Sequence, residues 1–192
     1  MASDIAKFEA DYSFVRDQIS EFFDSGSIQN ALQTIGEVGI TGWEKWWQVE
    51  LAIWLSDHED IGDWVMEERF FTDLRLKSKK DSIAIDIGFR MKGYSKDEML
   101  FLELKQNNDW RLCIENMLID VEKVESAQVR SIESKVMIRN FFVVGVYLTD
   151  DISKREIHDY IEMRTKEMNI PFGRQHIFSK FIQNTHFGVT VF

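Results

Sequence analysis

Apolar positions along this chain recur at two different periods, and the points where the period changes divide it into elements. Phe8, Tyr12, Val15, Ile19, Phe22 and Phe23 fall at three- and four-residue spacing, which predicts an amphipathic helix over residues 4–23. Gly26 interrupts it, Ser27 offers a cap for a short helix to Leu32, and Gly36, Gly39 and Gly42 predict a loop. A further helix is expected from Trp43 to Asp57, with Trp43, Trp46, Trp47, Ile53 and Trp54 on one side and Glu50 at its centre. A carboxylate inside an indole stripe is costly to bury unless a metal, a cation or a donor meets it. Otherwise the helix is rotated, or Glu50 accepts a hydrogen bond from a neighbouring indole.

The period then changes to two. Trp64 to Phe71 and Ser82 to Met91 read as strands, the second with Ile83, Ile85, Ile87, Phe89 and Met91 on one face and Ala84, Asp86 and Gly88 on the other. Lys92 to Asp97 forms a turn, and Glu98 to Gln106 a third strand, with Leu100, Leu102 and Leu104 opposite Phe101, Glu103 and Lys105. Facing residues in an antiparallel pair have a constant sum, so a turn centred between Tyr94 and Ser95 pairs Ile85 with Leu104, Ile87 with Leu102 and Phe89 with Leu100. On the other face the same register sets Asp86 against Glu103 and Ala84 against Lys105, although a two-residue slip preserves the faces. Trp110, Cys113, Ile114, Met117, Val121 and Val124 predict a helix, Phe141 to Leu148 a strand covered on both sides, and Asp150 to Met168 a last long helix. Beyond Pro171, strands are expected around Gln175 to Phe178 and Phe187 to Phe192.

With 192 residues, 44% hydrophobic and 29% charged, and no internal repeat or linker composition, the chain is expected to form a single α/β domain. Residues 1–42 form its N-terminal helical extension, 43–149 its core and 150–192 a C-terminal helix with strands. One cysteine, Cys113, excludes an internal disulfide and a multi-cysteine zinc site; on a helix's apolar stripe it is expected to be buried and inert. No basic stretch leading into an apolar run opens the sequence, and no apolar window is long enough to cross a bilayer, so a cytoplasmic location without membrane association is expected.

The formal charge of −10, from 33 acidic and 23 basic residues, counts against a simple DNA-binding module. It is compatible with an enzyme that draws metal ions into an acidic pocket, and with a protein whose partner is basic. Two carboxylates opposed across a sheet, Asp86 and Glu103, repel unless something positive lies between them. Hard oxygen ligands without histidine or thiolate favour Mg²⁺ or Mn²⁺, and Lys105 brings an ammonium to the same face. The plainer reading of the trio is a surface salt-bridge cluster.

Asp86 followed on the next strand by Glu103-Leu104-Lys105, behind a helix that carries a glutamate, resembles the PD-(D/E)XK nuclease superfamily, the restriction-endonuclease-like fold, over residues 43–149. Position 85 is isoleucine where the motif's name has proline. The resemblance implies a restriction-endonuclease-like core with a central mixed sheet flanked by helices. It also implies that Asp86, Glu103 and the Leu104 carbonyl ligate Mg²⁺ or Mn²⁺, with Glu50 as the helix glutamate of the pocket and Lys105 acting on water and phosphate. The activity so implied is endo- or exonuclease hydrolysis of DNA, with a homodimer or partner subunit supplying a second active site.

Arg75, Lys77, Lys79 and Lys80 form the densest basic run, either a phosphate contact or a solvated loop. His58, His158, His176 and His186 have no metal-ligand spacing. The competing expectation is a catalytically silent scaffold, an immunity or interaction protein for a basic partner, which the −10 charge favours.

Overall fold

Each helix expected from three- and four-residue spacing is present in the computed structural model, which describes residues 2–72, 81–125, 127–171 and 173–192. They are α1 (Ala2–Asp24), α2 (Gly26–Val38), α3 (Glu44–Ser56), α4 (Trp110–Glu125) and α5 (Lys154–Glu167). The strands are β1 (Ile61–Thr72), β2 (Ser82–Met91), β3 (Glu98–Gln106), β4 (Ala127–Ser131), β5 (Met137–Leu148), β6 (Phe178–Phe181) and β7 (Phe187–Val191). The protein is thus a mixed α/β structure. Its strands are hydrogen-bonded in the order β3-β2-β1-β4-β5-β7-β6, with β3 also paired to β5. The β1–β2, β1–β4, β2–β3, β4–β5, β5–β7 and β6–β7 pairs are antiparallel. Among the described residues, no helix is long and apolar enough to cross a membrane.

Local chemistry explains where elements stop. α2 runs through Gly36, which the sequence assigned to a loop, and ends at Gly39, whose φ of 71° gives the left-handed cap that an L side chain adopts only with strain. α5 begins at Lys154 rather than Asp150, because Ser153 and Glu156 form a reciprocal capping box. A 3₁₀ turn at Arg174–His176 precedes β6, where a strand was expected from Gln175. β4 was not anticipated.

Contacts divide the chain into two compact units built from interleaved segments. One comprises Lys45–Leu104 and Ile119–Val143. Here β1, β2 and β3 pack a core of Phe70, Ile85, Met99, Phe101 and Val136, with the Phe70 and Phe101 rings edge-on at 5.2 Å. Arg139 anchors the turn, pairing with Glu98 at 3.1 Å and lying over the Tyr94 ring. The other unit comprises Met1–Glu44, Lys105–Leu118 and Val144–Phe192. α1 contributes Tyr12, Val15, Ile19, Phe22 and Phe23 to its core, and β5 and β7 pair from Val144↔Val191 to Leu148↔Phe187. Gly145 lets α4 approach: a Cβ there would lie 2.3 Å from Met117 Sδ and 2.9 Å from Cys113 Sγ.

Candidate active site

The hairpin register is the one that alternation predicts: Ile87 pairs with Leu102, Gly88 with Phe101 and Phe89 with Leu100. Continued one step, that register would set Asp86 across from Glu103. There the carboxylate of Asp86 takes over from backbone pairing, because its Oδ2 accepts the N–H of Leu104 at 2.8 Å. Met99 and Phe101 are buried on the face that continues into half-buried Glu103 and Lys105. β3 therefore carries an apolar face that turns polar at its C-terminal end, and Lys105 follows Glu103 by two positions on that face.

α3 meets β2 through Gln48. This glutamine is only 2% exposed, and its Nε2 donates to the Asp86 carbonyl at 3.1 Å and to Asp86 Oδ1 at 3.3 Å. Both carboxylate oxygens of Asp86 thus have an N–H donor, which fixes its rotamer. Sequence reading missed Gln48 because it took the tryptophans as the buried stripe. The buried residues of α3 are Trp47, Gln48, Leu51, Ala52 and Leu55, so the helix is rotated relative to that expectation. Glu50 follows Gln48 by two residues, about 200° around the helix, and is directed away from the Asp86 contact. Glu44, one turn before Gln48, accepts the N–H of Gln106 at 2.7 Å through Oε2.

β1 adds a second unanticipated residue. Its register passes from Met66↔Ile87 to Glu68↔Ile85, which sets Glu67 across from Asp86 on the side opposite Glu103. Glu67 has a φ of 53°, rare for a residue with a Cβ, and is ion-paired with Lys45 of α3. The hydrogen bond from Lys45 holds the Glu67 carboxyl below its usual pKa. Nothing in the period-two pattern of β1 marks this position. The acids Glu67, Asp86 and Glu103 occupy successive strands of the β1–β2–β3 meander.

Among the described residues, no three His, Cys, Asp or Glu side chains gather closely enough to hold a metal by themselves. Mg²⁺ commonly keeps several waters and uses one or two carboxylates with substrate phosphate, and Asp86 with Glu103 is a donor set of that kind. It does not suit zinc, which takes nitrogen and sulfur ligands.

The remaining candidates lie elsewhere. Burial pushes the Cys113 thiol up to about 12, with the Glu44 carboxylate adding to the shift, so it is not a nucleophile at neutral pH. His158 contacts Ser179 at 3.1 Å and His176 contacts Glu9 at 2.8 Å. Arg75, Lys77, Lys79 and Lys80 lie outside the described residues. Comparison with protein-family models, with curated proteins and with solved structures returned no match.

Proposed function

We propose that this chain hydrolyses phosphodiester bonds in nucleic acid, DNA first, with the assistance of Mg²⁺ or Mn²⁺ on a restriction-endonuclease-like core. The observation that carries this reading is the hairpin register. Continued one step beyond Ile87 and Leu102 it would set Asp86 against Glu103, with Lys105 two residues further along β3, and the Asp86 carboxylate is held by Leu104 N–H and Gln48. Asp86 and Glu103 would hold the ion, with the Leu104 carbonyl as a further oxygen donor. A bound divalent ion supplies Lewis-acid polarisation of a phosphoryl oxygen and a more acidic bound water. Lys105 orients the attacking water and stabilises negative charge that develops on the phosphate. Gln48 acts through Asp86, as a positioning residue. In this reading it stands where the resemblance assigned a role to Glu50.

The test is cleavage of supercoiled DNA, linear DNA and RNA with Mg²⁺ or Mn²⁺, alongside Glu103→Gln and Lys105→Ala, with calorimetric metal titration of the same proteins. Metal-dependent cleavage lost in both variants supports the hydrolase. No cleavage of any substrate and no metal binding rejects it.

The charge of −10 favours a second reading, in which the scaffold acts by association with a basic protein. That reading predicts no metal-dependent cleavage, and binding to a basic partner that Glu103→Gln and Lys105→Ala leave intact.

A further inference from the structure

The side of α3 turned away from Gln48 and the strands is the one the tryptophan spacing singled out, and the proposed hydrolysis does not use it. At about 100° per residue, Trp46, Val49, Glu50, Ile53, Trp54 and Asp57 fall within an arc of about 140°. The centre of that arc is about 160° from the centre of the buried arc formed by Trp47, Gln48, Leu51, Ala52 and Leu55. Asp57 extends the outer face past the helix end, since its N–H still bonds to the carbonyl of Ile53 at 3.1 Å. Val49 is 44% exposed and Ile53, one turn on, 53% exposed, with Trp46 and Trp54 half-buried beside them. Aliphatic side chains exposed between two indoles form an apolar strip of the kind that marks an interaction site. Glu50, in the middle of the strip, makes no hydrogen bond or ion pair among the described residues.

We propose that this face of α3 docks a cationic amphipathic helix of another protein, its apolar side chains on Trp46, Val49, Ile53 and Trp54 and its Lys or Arg side chains on Glu50 and Asp57. The two carboxylates are seven residues apart, two helical turns, which matches the anchor spacing of helix-on-helix recognition. Charge selects this occupant. A second copy packed across a two-fold axis would bring Glu50 and Asp57 against their own counterparts, a like-charge juxtaposition that opposes association. Anionic lipid and nucleic acid meet the same carboxylates and the −10 background. A basic helix gains from both the strip and the charge. The proposal is independent of the hydrolase reading, because Glu50 is directed away from Asp86.

The probes are three synthetic peptides: an amphipathic helix of leucine and lysine, a serine–lysine peptide of equal charge, and a leucine–glutamate helix. Each is titrated calorimetrically at physiological salt into the wild-type chain, Val49→Gln/Ile53→Gln and Glu50→Lys. Gln is a neutral helix former, and far-UV circular dichroism and the melting temperature check that both variants stay folded. The leucine–lysine helix is expected to bind the wild-type chain in preference to both controls. Each variant is expected to bind it roughly tenfold more weakly. Equal binding of the serine–lysine peptide, or affinity unchanged in Val49→Gln/Ile53→Gln, reduces the effect to bulk charge and overturns the proposal. So does absence of binding. Self-association seen by sedimentation, or binding to anionic phospholipid vesicles, that is lost in Val49→Gln/Ile53→Gln assigns the face to a second copy or a lipid surface instead.

Discussion

Asp86 Oδ2 accepts the backbone N–H of Leu104 at 2.8 Å, so a side chain rather than a backbone carbonyl closes the end of the β2–β3 hairpin. With Gln48 Nε2 on Oδ1 at 3.3 Å, both oxygens of the carboxylate are held. In Asp86→Asn the carboxamide oxygen still serves Leu104, but its NH₂ then faces the Gln48 amide donor. The expected result is a modest loss of stability, about 1 kcal/mol by urea denaturation. On the proposed hydrolase reading, in which Asp86 would hold the ion, metal-dependent cleavage should be abolished. An Asp86→Asn protein that still cleaves would remove Asp86 from the proposed chemistry.

Gln48 satisfies two acceptors of one residue, the carbonyl and the carboxylate of Asp86. Gln48→Leu keeps much of the volume and removes the donor, and leaving buried acceptors unsatisfied costs about 1–3 kcal/mol. If Gln48 positions Asp86, metal affinity should also fall roughly 10- to 100-fold. Calorimetric titration separates that loss from lowered stability, and Gln48→Asn, with a shorter but competent donor, should recover part of it.

Gly88 is the close-approach glycine of the meander. A Cβ there would lie 2.5 Å from Phe101 Cε1 and 2.9 Å from Val65 Cγ2, and both neighbours stand directly across from Gly88 in the two registers. Phe101 is buried against Phe70 and cannot swing out. Gly88→Ala should therefore destabilise the protein by about 1–3 kcal/mol through overpacking, read as a lowered urea midpoint. Ala84 is exposed on the same face of β2, two residues the other side of Asp86. Ala84→Ser should leave the midpoint within about 0.5 kcal/mol of wild type.

Element types and the hairpin register were legible in the sequence because period and face are local properties. Ile87 and Phe89 can face Leu102 and Leu100 only if the turn centre is right, and the structure has that register. The rotation of α3 was not legible. Its apolar residues nearly encircle the helix, so several stripes are possible, and the contacts of Gln48 and Lys45 with Asp86 and Glu67 show which side faces the strands. β4 is five residues, Ala-Gln-Val-Arg-Ser, too short and too polar to show a period. Glu67 became a candidate only through the β1–β2 register, a long-range pairing that no local pattern encodes.

Arg164 of α5 grips Glu115 of α4 with two parallel bonds, Nε to Oε1 at 2.6 Å and Nη2 to Oε2 at 2.9 Å, while Tyr160 donates to Oε1 at 2.6 Å. The guanidinium, and then Tyr160, hold the Glu115 carboxyl below its ordinary pKa. Lysine keeps the charge but cannot present the planar fork. Arg164→Lys is expected to destabilise by about 1 kcal/mol at neutral pH, the partial exposure of the pair limiting the loss. Glu115→Gln should cost a similar amount, and the double variant less than the sum of the two. Additive losses in this double-mutant cycle would show that the fork is not the interaction lost.

His158 starts a chain of hydroxyls that runs into the interior: Nε2 to Ser179 Oγ at 3.1 Å, Ser179 Oγ to Thr190 Oγ1 at 2.8 Å, and Tyr147 OH to Thr190 Oγ1 at 2.5 Å. Burial lowers the His158 pKa first, and Arg174 and Lys154 lower it further against the opposing pull of Asp159. The folded state therefore binds a proton at His158 less readily than the unfolded state, whose imidazole titrates near 6.5. Stability rises with pH wherever the unfolded state holds more protons, so this contribution is complete above about pH 6.5 and is lost as pH falls below it. Urea denaturation of the wild-type chain and of His158→Gln isolates the effect, since glutamine retains a polar partner for Ser179 but does not titrate. The stability advantage of the wild-type chain over His158→Gln should be constant from about pH 8 to about pH 6.5 and shrink below that. A difference that stays flat through the acid range would assign the pH dependence to other groups.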